Sequence, residues 1–364
     1  TGELVWSFHT IPAAGDFGAD TWPENARAEQ GGANAWAGFA LDEERGIVYA
    51  PTGSAVPDFF GGAREGDNLF ANSLLALDAT TGERIWHFQA VRHDIWDRDF
   101  PAPPSLVTVQ RDGTGIDAVA QTSKQGYVYL FDRVTGESLF PIEERAAPPS
   151  PIAEERPATS QPVPTAPAPF ARQTLTADML TTRSPEMNDW AREQFSNFLS
   201  AGQFTPFRTE QPVVVIPGFD GGAEWGGSAI DPDRGIIYIN SNDIAWTGAL
   251  AASPDGMGFT EALYQAQCAV CHGIDKQGSP PGFPALTNVA ETVSADEIES
   301  IIRNGVGRMP GFPALAPEAV SGLADLILNP ESASSSNIEE DSVPSLSSEG
   351  SDVPYRFTGY HRSV

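Results

Sequence analysis

Lysine is almost missing from this chain of 364 residues, which has only Lys124 and Lys276. Lys and Arg together number 21 against 49 Asp and Glu, a formal net charge of −28. A surface of that sign repels phosphate backbones, which sets nucleic-acid binding aside as a general property. It suits a secreted or salt-adapted protein, or a cationic partner, without choosing among them. No apolar run approaches the roughly 20 residues of a membrane-spanning helix, so no transmembrane segment is expected in this stretch. The two cysteines, Cys268 and Cys271, are too few for a disulfide framework. In contrast, 40% of the residues are hydrophobic, with 35 Gly and 31 Pro, which is enough for two domains and a sizeable core.

The ends carry their own expectation. The chain opens at Thr1-Gly2 inside a motif that recurs later, and stops in the aromatic, strand-like run from Tyr355 to Val364. The expectation is a piece of a longer protein, with a signal peptide on the missing N-terminal part. Natural processing is the alternative.

Thr1-Gly-Glu-Leu-Val-Trp6, Thr81-Gly-Glu-Arg-Ile-Trp86 and Thr135-Gly-Glu-Ser-Leu-Phe140 are one motif three times, the later copies preceded by Leu75-Ala-Leu-Asp78 and Tyr129-Leu-Phe-Asp132. An apolar strand, a turn closed by an Asp side chain, a Gly for positive φ and a strand ending in an aromatic make a hairpin. A second device occurs twice, as Leu41-Asp-Glu-Glu-Arg-Gly-Ile-Val-Tyr49 and Ile230-Asp-Pro-Asp-Arg-Gly-Ile-Ile-Tyr238. Repeated hairpins with fixed aromatic and Gly marks predict a β-propeller, with an ordinary β-sandwich as the alternative. The Pro-rich residues 146–170 cannot donate ladder hydrogen bonds and read as an extended surface excursion. Residues 176–200 look helical, with Met187, Trp190, Phe195 and Leu199 on helical spacings. From about residue 258 the period turns to 3.6 (Phe259, Leu263, Ile298, Ile301, Ile302), which predicts a small all-α domain ending near Asn329. Residues 331–350, rich in Ser, Glu and Asp, read as a solvated linker.

Cys268-Ala-Val-Cys271-His272 is the sharpest local signal. Two thiols at this spacing form thioethers to haem vinyl groups, while the adjacent His ligates iron. Thioredoxin-like chemistry wants a βαβ context and has no use for the His; zinc wants two further nearby ligands. The sixth ligand falls to Met309 in the Gly/Pro loop around Arg308-Met309-Pro310, with a plain core methionine as the alternative. Residues 258–330 resemble a class I cytochrome c domain.

Lys124, inside Gln121-Thr-Ser-Lys-Gln-Gly-Tyr-Val-Tyr129, and the cluster His93-Asp-Ile-Trp-Asp97-Arg-Asp99 are the remaining candidates. A general base needs a carboxylate held away from bulk water, and an adjacent Trp walls one off. Clustered carboxylates also suit a metal. Against these stand a turn cap for Asp97 and a surface ion pair for Lys124, and composition alone leaves both readings open.

The repeat from Ala76 to Trp86 resembles the tryptophan-docking motif of the pyrroloquinoline quinone (PQQ) dehydrogenases, and the likeness runs through the chain, nearest to the membrane-type glucose dehydrogenase branch with an inserted cytochrome c domain. The resemblance implies an eight-bladed propeller, of which residues 1–250 form part and residues 351–364 the resumption, after the cytochrome domain at 258–330. It implies Asp97 as catalytic base and Lys124 on the quinone oxygens. It further implies Trp36, in Gly31-Gly-Ala-Asn-Ala-Trp36, as the floor under the cofactor ring, and Asn242 as a quinone contact. Haem c is held by Cys268, Cys271, His272 and Met309. A divalent cation, Ca²⁺ in this reading, is expected near the base. Ser54 stands where the alcohol dehydrogenases carry an Asn ligand, with Asp97 and Asp99 as acidic ligands. The expected activity is periplasmic oxidation of a sugar, polyol or other alcohol, with a quinone or soluble cytochrome as acceptor. A nitrite reductase of the cytochrome cd1 type would need more propeller histidines than His9, His87 and His93. A non-catalytic electron carrier with a degenerate propeller is the remaining alternative.

Overall fold

The computed structural model describes residues 2–252, 259–278, 283–313, 315, 317–329, 355–357 and 361–362. They fall into two compact units, one of Thr1–Ala251 with Tyr355–Val364 and one of Ala252–Pro354. The expected linker at 331–350 lies outside the described residues.

In the first unit the strands Ala40–Asp42, Ile47–Pro51, Ser73–Asp78 and Arg84–Gln89 form an antiparallel meander, each paired to the next. The strands Ser105–Arg111, Thr114–Thr122 and Val128–Asp132 repeat the arrangement, and Phe131 bridges onward to Ser138. Sheets that meander in chain order are propeller blades. The recurring motif supplies each blade's outer turn. The Asp78 carboxylate accepts from the backbone N–H groups of Thr80 and Thr81 at 2.8 and 2.9 Å, and Asp132 does the same for Val134 and Thr135 at 2.9 and 2.8 Å.

The motif's tryptophans join one copy to the next. Trp6 donates its indole N–H to the Ala79 carbonyl at 3.0 Å, and Trp86 donates to the equivalent Arg133 carbonyl at 3.0 Å. Each ring lies against the motif glycine of the following copy, so that a Cβ on Gly82 or Gly136 would stand 2.6 Å from it. Those glycines are needed twice over, because φ is +75° and +72°.

Two expectations change here. Part of the Pro-rich stretch is a strand, since Ile142–Ala146 pairs antiparallel with Ser160–Pro164 and Gln161 and Val163 are fully buried. Pro162 and Pro164 sit two apart, facing Glu144 and Ile142, while the N–H groups of the intervening positions serve the ladder. Prolines of one parity cost an antiparallel pair no hydrogen bond. The expected helix near 176–200 is confined to Pro185–Phe195, capped by the Ser184 side chain, which accepts from Met187 N–H. Met187 and Trp190 on it are exposed, while Ala191 is buried and Phe195 packs with Leu175, Val214 and Ile216.

The sheet of Val213–Val215 and Trp246–Gly248 is completed by His361–Arg362, and Leu250–Ala252 pairs with Tyr355–Phe357. Strands after the helical unit thus return to sheets begun before it. Phe357 stacks on Phe59 with ring centroids 4.1 Å apart.

The second unit packs Phe259–Gln267, Ala295–Asn304 and Pro317–Leu328 around Leu263, Tyr264, Ile298, Ile302, Val320 and Leu323. Ser294 and Glu297 form a reciprocal capping box at the start of Ala295–Asn304. Among the described residues no helix is long and apolar enough to cross a membrane.

Candidate active site

Lys124 lies in the turn between Thr114–Thr122 and Val128–Asp132, where its N–H reaches the Asp99 carbonyl at 3.1 Å. Its ammonium donates to both oxygens of Asp97 at 2.9 Å and stands 3.3 Å from Asp99 Oδ2. Lys124 is 7% exposed, so the ion pair is internal rather than on the surface. The second half of the site is the Asp99 carboxylate. It accepts from Ser54 N–H at 2.6 Å and from the Trp36 indole N–H at 3.2 Å. The Ser54 hydroxyl lies 2.8 Å from Asp99 and 2.5 Å from Asp94, donating to one of them, and accepts from Asn72 at 3.1 Å. Trp36 is thereby held by its edge while 44% of the residue remains exposed, next to the ammonium and the carboxyls.

The segment carrying Asp97 is shaped by its own side chains. The Asp94 carboxylate accepts from the backbone N–H of Trp96 at 2.9 Å and of Arg98 at 2.6 Å, closing the loop. Trp96 is buried, with its indole N–H on the Thr205 carbonyl. Asp97 itself adopts φ of +58°, a left-handed conformation that costs a non-glycine residue on the order of 1 kcal/mol.

Charge at the site is unbalanced, with Asp97, Asp99 and Asp58 facing the single ammonium of Lys124. Burial pushes the Asp97 carboxyl well above the usual range; Lys124 opposes this and Asp99 reinforces it. Burial, with the charges of Asp99 and Asp94 behind it, pushes Asp58 up to about 6. For Lys124 burial alone acts downward, but Asp99 and Asp97 outweigh it and hold the ammonium above its ordinary range. Burial raises the two carboxyls and the excess of acid over base adds to it, while that same excess is what lets the lysine keep its proton.

Asn242 donates its backbone N–H to Gly222 at 3.0 Å and its amide to Asp220 at 3.4 Å; Gly222 in turn donates to the Lys124 carbonyl at 2.7 Å. Asn242 is therefore linked to the lysine through one residue. Asn72, Asp58 and Glu224, whose carboxyl burial also raises, went unmarked in the sequence, since no motif or spacing sets them apart.

The residues present do not fit a divalent cation as arranged. The Asp99 oxygens already receive Ser54, Trp36 and Lys124, both Asp97 oxygens receive Lys124, and the positive charge between them is the ammonium itself. Among the described residues no group of three or more His, Cys, Asp or Glu is placed to hold a metal. An exposed indole face with an ammonium at its margin does fit a flat anionic ring system.

A family model described as the glucose/ethanol/alcohol dehydrogenase β-propeller domain, the PQQ family, matches residues 1–291. The chain belongs to that family. A second model, the cbb3-type cytochrome c oxidase subunit III, matches residues 260–327 of this quinoprotein family member. The chain is 32% identical over 302 residues to the quinoprotein glucose dehydrogenase A of Acinetobacter calcoaceticus, covering 78% of this chain and 37% of the relative. To the quinoprotein glucose dehydrogenase of Escherichia coli it is 31% identical over 314 residues, covering 82% and 39%. To a quinohemoprotein alcohol dehydrogenase of Pseudomonas putida it is 29% identical over 308 residues, covering 81% and 37%. It spans less than half the length of each.

In the cytochrome unit, Cys268 and Met309 both pack against the helical core. His272 is buried, and its Nδ1 lies 2.9 Å from the Pro284 carbonyl. Donation there leaves Nε2 as the unprotonated nitrogen, the tautomer an iron ligand requires. Val270, Ile274 and Val306, close in the chain to the Cys-His pair and Met309, are exposed apolar side chains. This donor set fits a c-type haem.

Proposed function

We propose that this chain is the core of a periplasmic quinohaemoprotein dehydrogenase that oxidises a sugar, polyol or other alcohol. The propeller is assigned to residues 1–250 with a resumption at 351–364, and the cytochrome domain to residues 258–330. The observation that carries the reading is the internal Lys124–Asp97–Asp99 constellation beside the exposed face of Trp36.

Trp36 would support the plane of PQQ, with Lys124 and Asn242 toward its oxygens. Cys268, Cys271, His272 and Met309 would hold the haem. When bound, PQQ supplies the hydride acceptor and the haem a one-electron path to a quinone or a soluble cytochrome. Everything else is the work of the chain's own groups. Asp97 takes the proton of the substrate hydroxyl, a task suited to a carboxyl that burial makes a stronger base than an ordinary carboxylate. Lys124 stays cationic and would oppose the negative charge that the acceptor's oxygens gain with the hydride, in a setting where little water screens it. Asp99, fixed by Ser54 and Trp36, keeps the ammonium from following Asp97 when that carboxyl changes charge. Asp97 and Asp99 are assigned these roles rather than that of ligands to Ca²⁺.

The test is Asp97→Asn in the complete protein loaded with both cofactors. Shape is kept and basicity removed, so turnover is expected to vanish while quinone and haem remain at full stoichiometry. More than a few per cent of residual turnover would remove Asp97 from the role of base.

A further inference from the structure

The Pro-rich segment has a part in the site that its composition does not announce. Gln161, fully buried, grips the backbone of Arg92 on both sides: its Oε1 accepts from Arg92 N–H at 2.9 Å and its Nε2 donates to the Arg92 carbonyl at 2.8 Å. Glu155, 5% exposed, faces the next residue. Its Oε1 lies 2.7 Å from His93 Nε2, and its Oε2 accepts from Gly61 N–H at 2.5 Å. The other nitrogen of His93 lies 2.8 Å from the Gly66 carbonyl. The His93 ring is thus bridged at both nitrogens, between the Gly66 carbonyl and the Glu155 carboxyl group. The fit is close, since a Cβ on Gly61 would stand 2.4 Å from His93 Nε2.

These contacts fall where the backbone is held in an unfavourable conformation. His93 has φ of +47° and Asp97 +58°, with Asn68 at +57° in the segment facing them. Such residues persist only where their surroundings over-determine them. Past His93 the loop is held by Arg64, fully buried, whose guanidinium reaches the Asp94 carbonyl at 2.5 Å, and by the Asp94 carboxylate already described. Within residues 92–94 the Arg92 guanidinium pairs with Glu144 and the Asp94 carboxylate meets Ser54 and Asn72, whereas the side chains that hold the Arg92 backbone and the His93 ring are Gln161 and Glu155.

We propose that Glu155 and Gln161 are positioning residues: the Pro-rich segment sets where Asp97 stands relative to Lys124 by clamping Arg92 and His93, five and four residues before it. Neither residue touches Asp97, and both act through the loop. The inference rests on the reading of Asp97 as the base. A displacement of about 1 Å at a reacting group costs on the order of 10²-fold in rate.

The experiment compares Glu155→Ala, Glu155→Gln and Gln161→Ala in the complete, cofactor-loaded enzyme. The readouts are kcat per bound quinone, KM, and the single-turnover rate of quinone reduction followed by its absorbance. Glu155→Ala is expected to lower kcat and the single-turnover rate by about 10²-fold with KM within about twofold. Glu155→Gln, which can still accept from Gly61 N–H and donate to a neutral His93, is expected to restore the rate to within about threefold of wild type. Should Glu155→Ala fail to accumulate, Gln161→Ala, which removes two bonds to a single residue, is expected to lower kcat by about tenfold with quinone and haem retained. An unchanged kcat per quinone in Glu155→Ala or Gln161→Ala would overturn the proposal, as would an equal loss in Glu155→Gln and Glu155→Ala. Asp97→Asn in parallel separates the two readings. If it stays active, the base assignment fails by itself; if it is dead while Glu155→Ala is fully active, only the clamp fails.

Discussion

Gly136→Ala isolates the device that joins successive copies of the repeat. At this position φ is +72° and a Cβ would stand 2.6 Å from Cδ2 of Trp86, whose N–H is already fixed on the Arg133 carbonyl at 3.0 Å. The left-handed conformation costs an alanine about 1 kcal/mol. Ordinary contact begins near 3.4 Å, so the indole must move by close to 1 Å, and overpacking on that scale costs about 1–3 kcal/mol. The sum is about 2–4 kcal/mol. Gly113→Ala is the control, because φ there is +78° but nothing lies within 4 Å of the added Cβ. It is expected to lose only the conformational part, about 1 kcal/mol. The two variants would be compared by urea unfolding, taking the midpoint at unchanged slope. Adding Trp86→Ala should erase the difference between them, since the clash then has no partner. Equal losses in Gly113→Ala and Gly136→Ala, or an undiminished difference after Trp86 is removed, would refute the docking argument.

Three further outcomes follow from the sites. Lys124→Ala should lower kcat by about 10²-fold or more in the loaded enzyme, the scale for one charge-stabilising donor, and steady-state kinetics would show it. Met309→Ala should keep the haem covalently attached but lose the long-wavelength thioether–iron band and lower the reduction potential, since methionine ligation raises it; visible spectra and a redox titration decide. Asp58 gives a pH signature. With its carboxyl raised to about 6 in the folded state, the fold binds a proton more tightly than the unfolded chain, so this contribution is full below about pH 4 and is lost as pH rises through 6. Asp58→Asn should flatten that fall, worth at most about 3 kcal/mol, in melting temperatures measured from pH 4 to 7.

The local chemistry was legible in the residues themselves. An Asp, a Gly and an aromatic at fixed intervals make a hairpin turn because Asp78 and Asp132 bond backbone N–H groups two and three positions on, and such bonds need no distant partner. Cys268, Cys271 and His272 mark a haem attachment for the same reason, as covalent chemistry is written in adjacent residues. What lay beyond the sequence is everything set by long separation along the chain. That Trp6 belongs to the turn of Gly82, that Asp99 is held by Trp36 and Ser54, and that Lys124 meets Asp97 at 2.9 Å are facts of blade stacking. The prolines of residues 146–170 exclude ladder donors only one residue at a time, so their alternating parity let the segment enter a sheet and bury Gln161 and Glu155 against Arg92 and His93. Composition reports how many hydrogen bonds a segment can donate, and tertiary packing decides which face carries them.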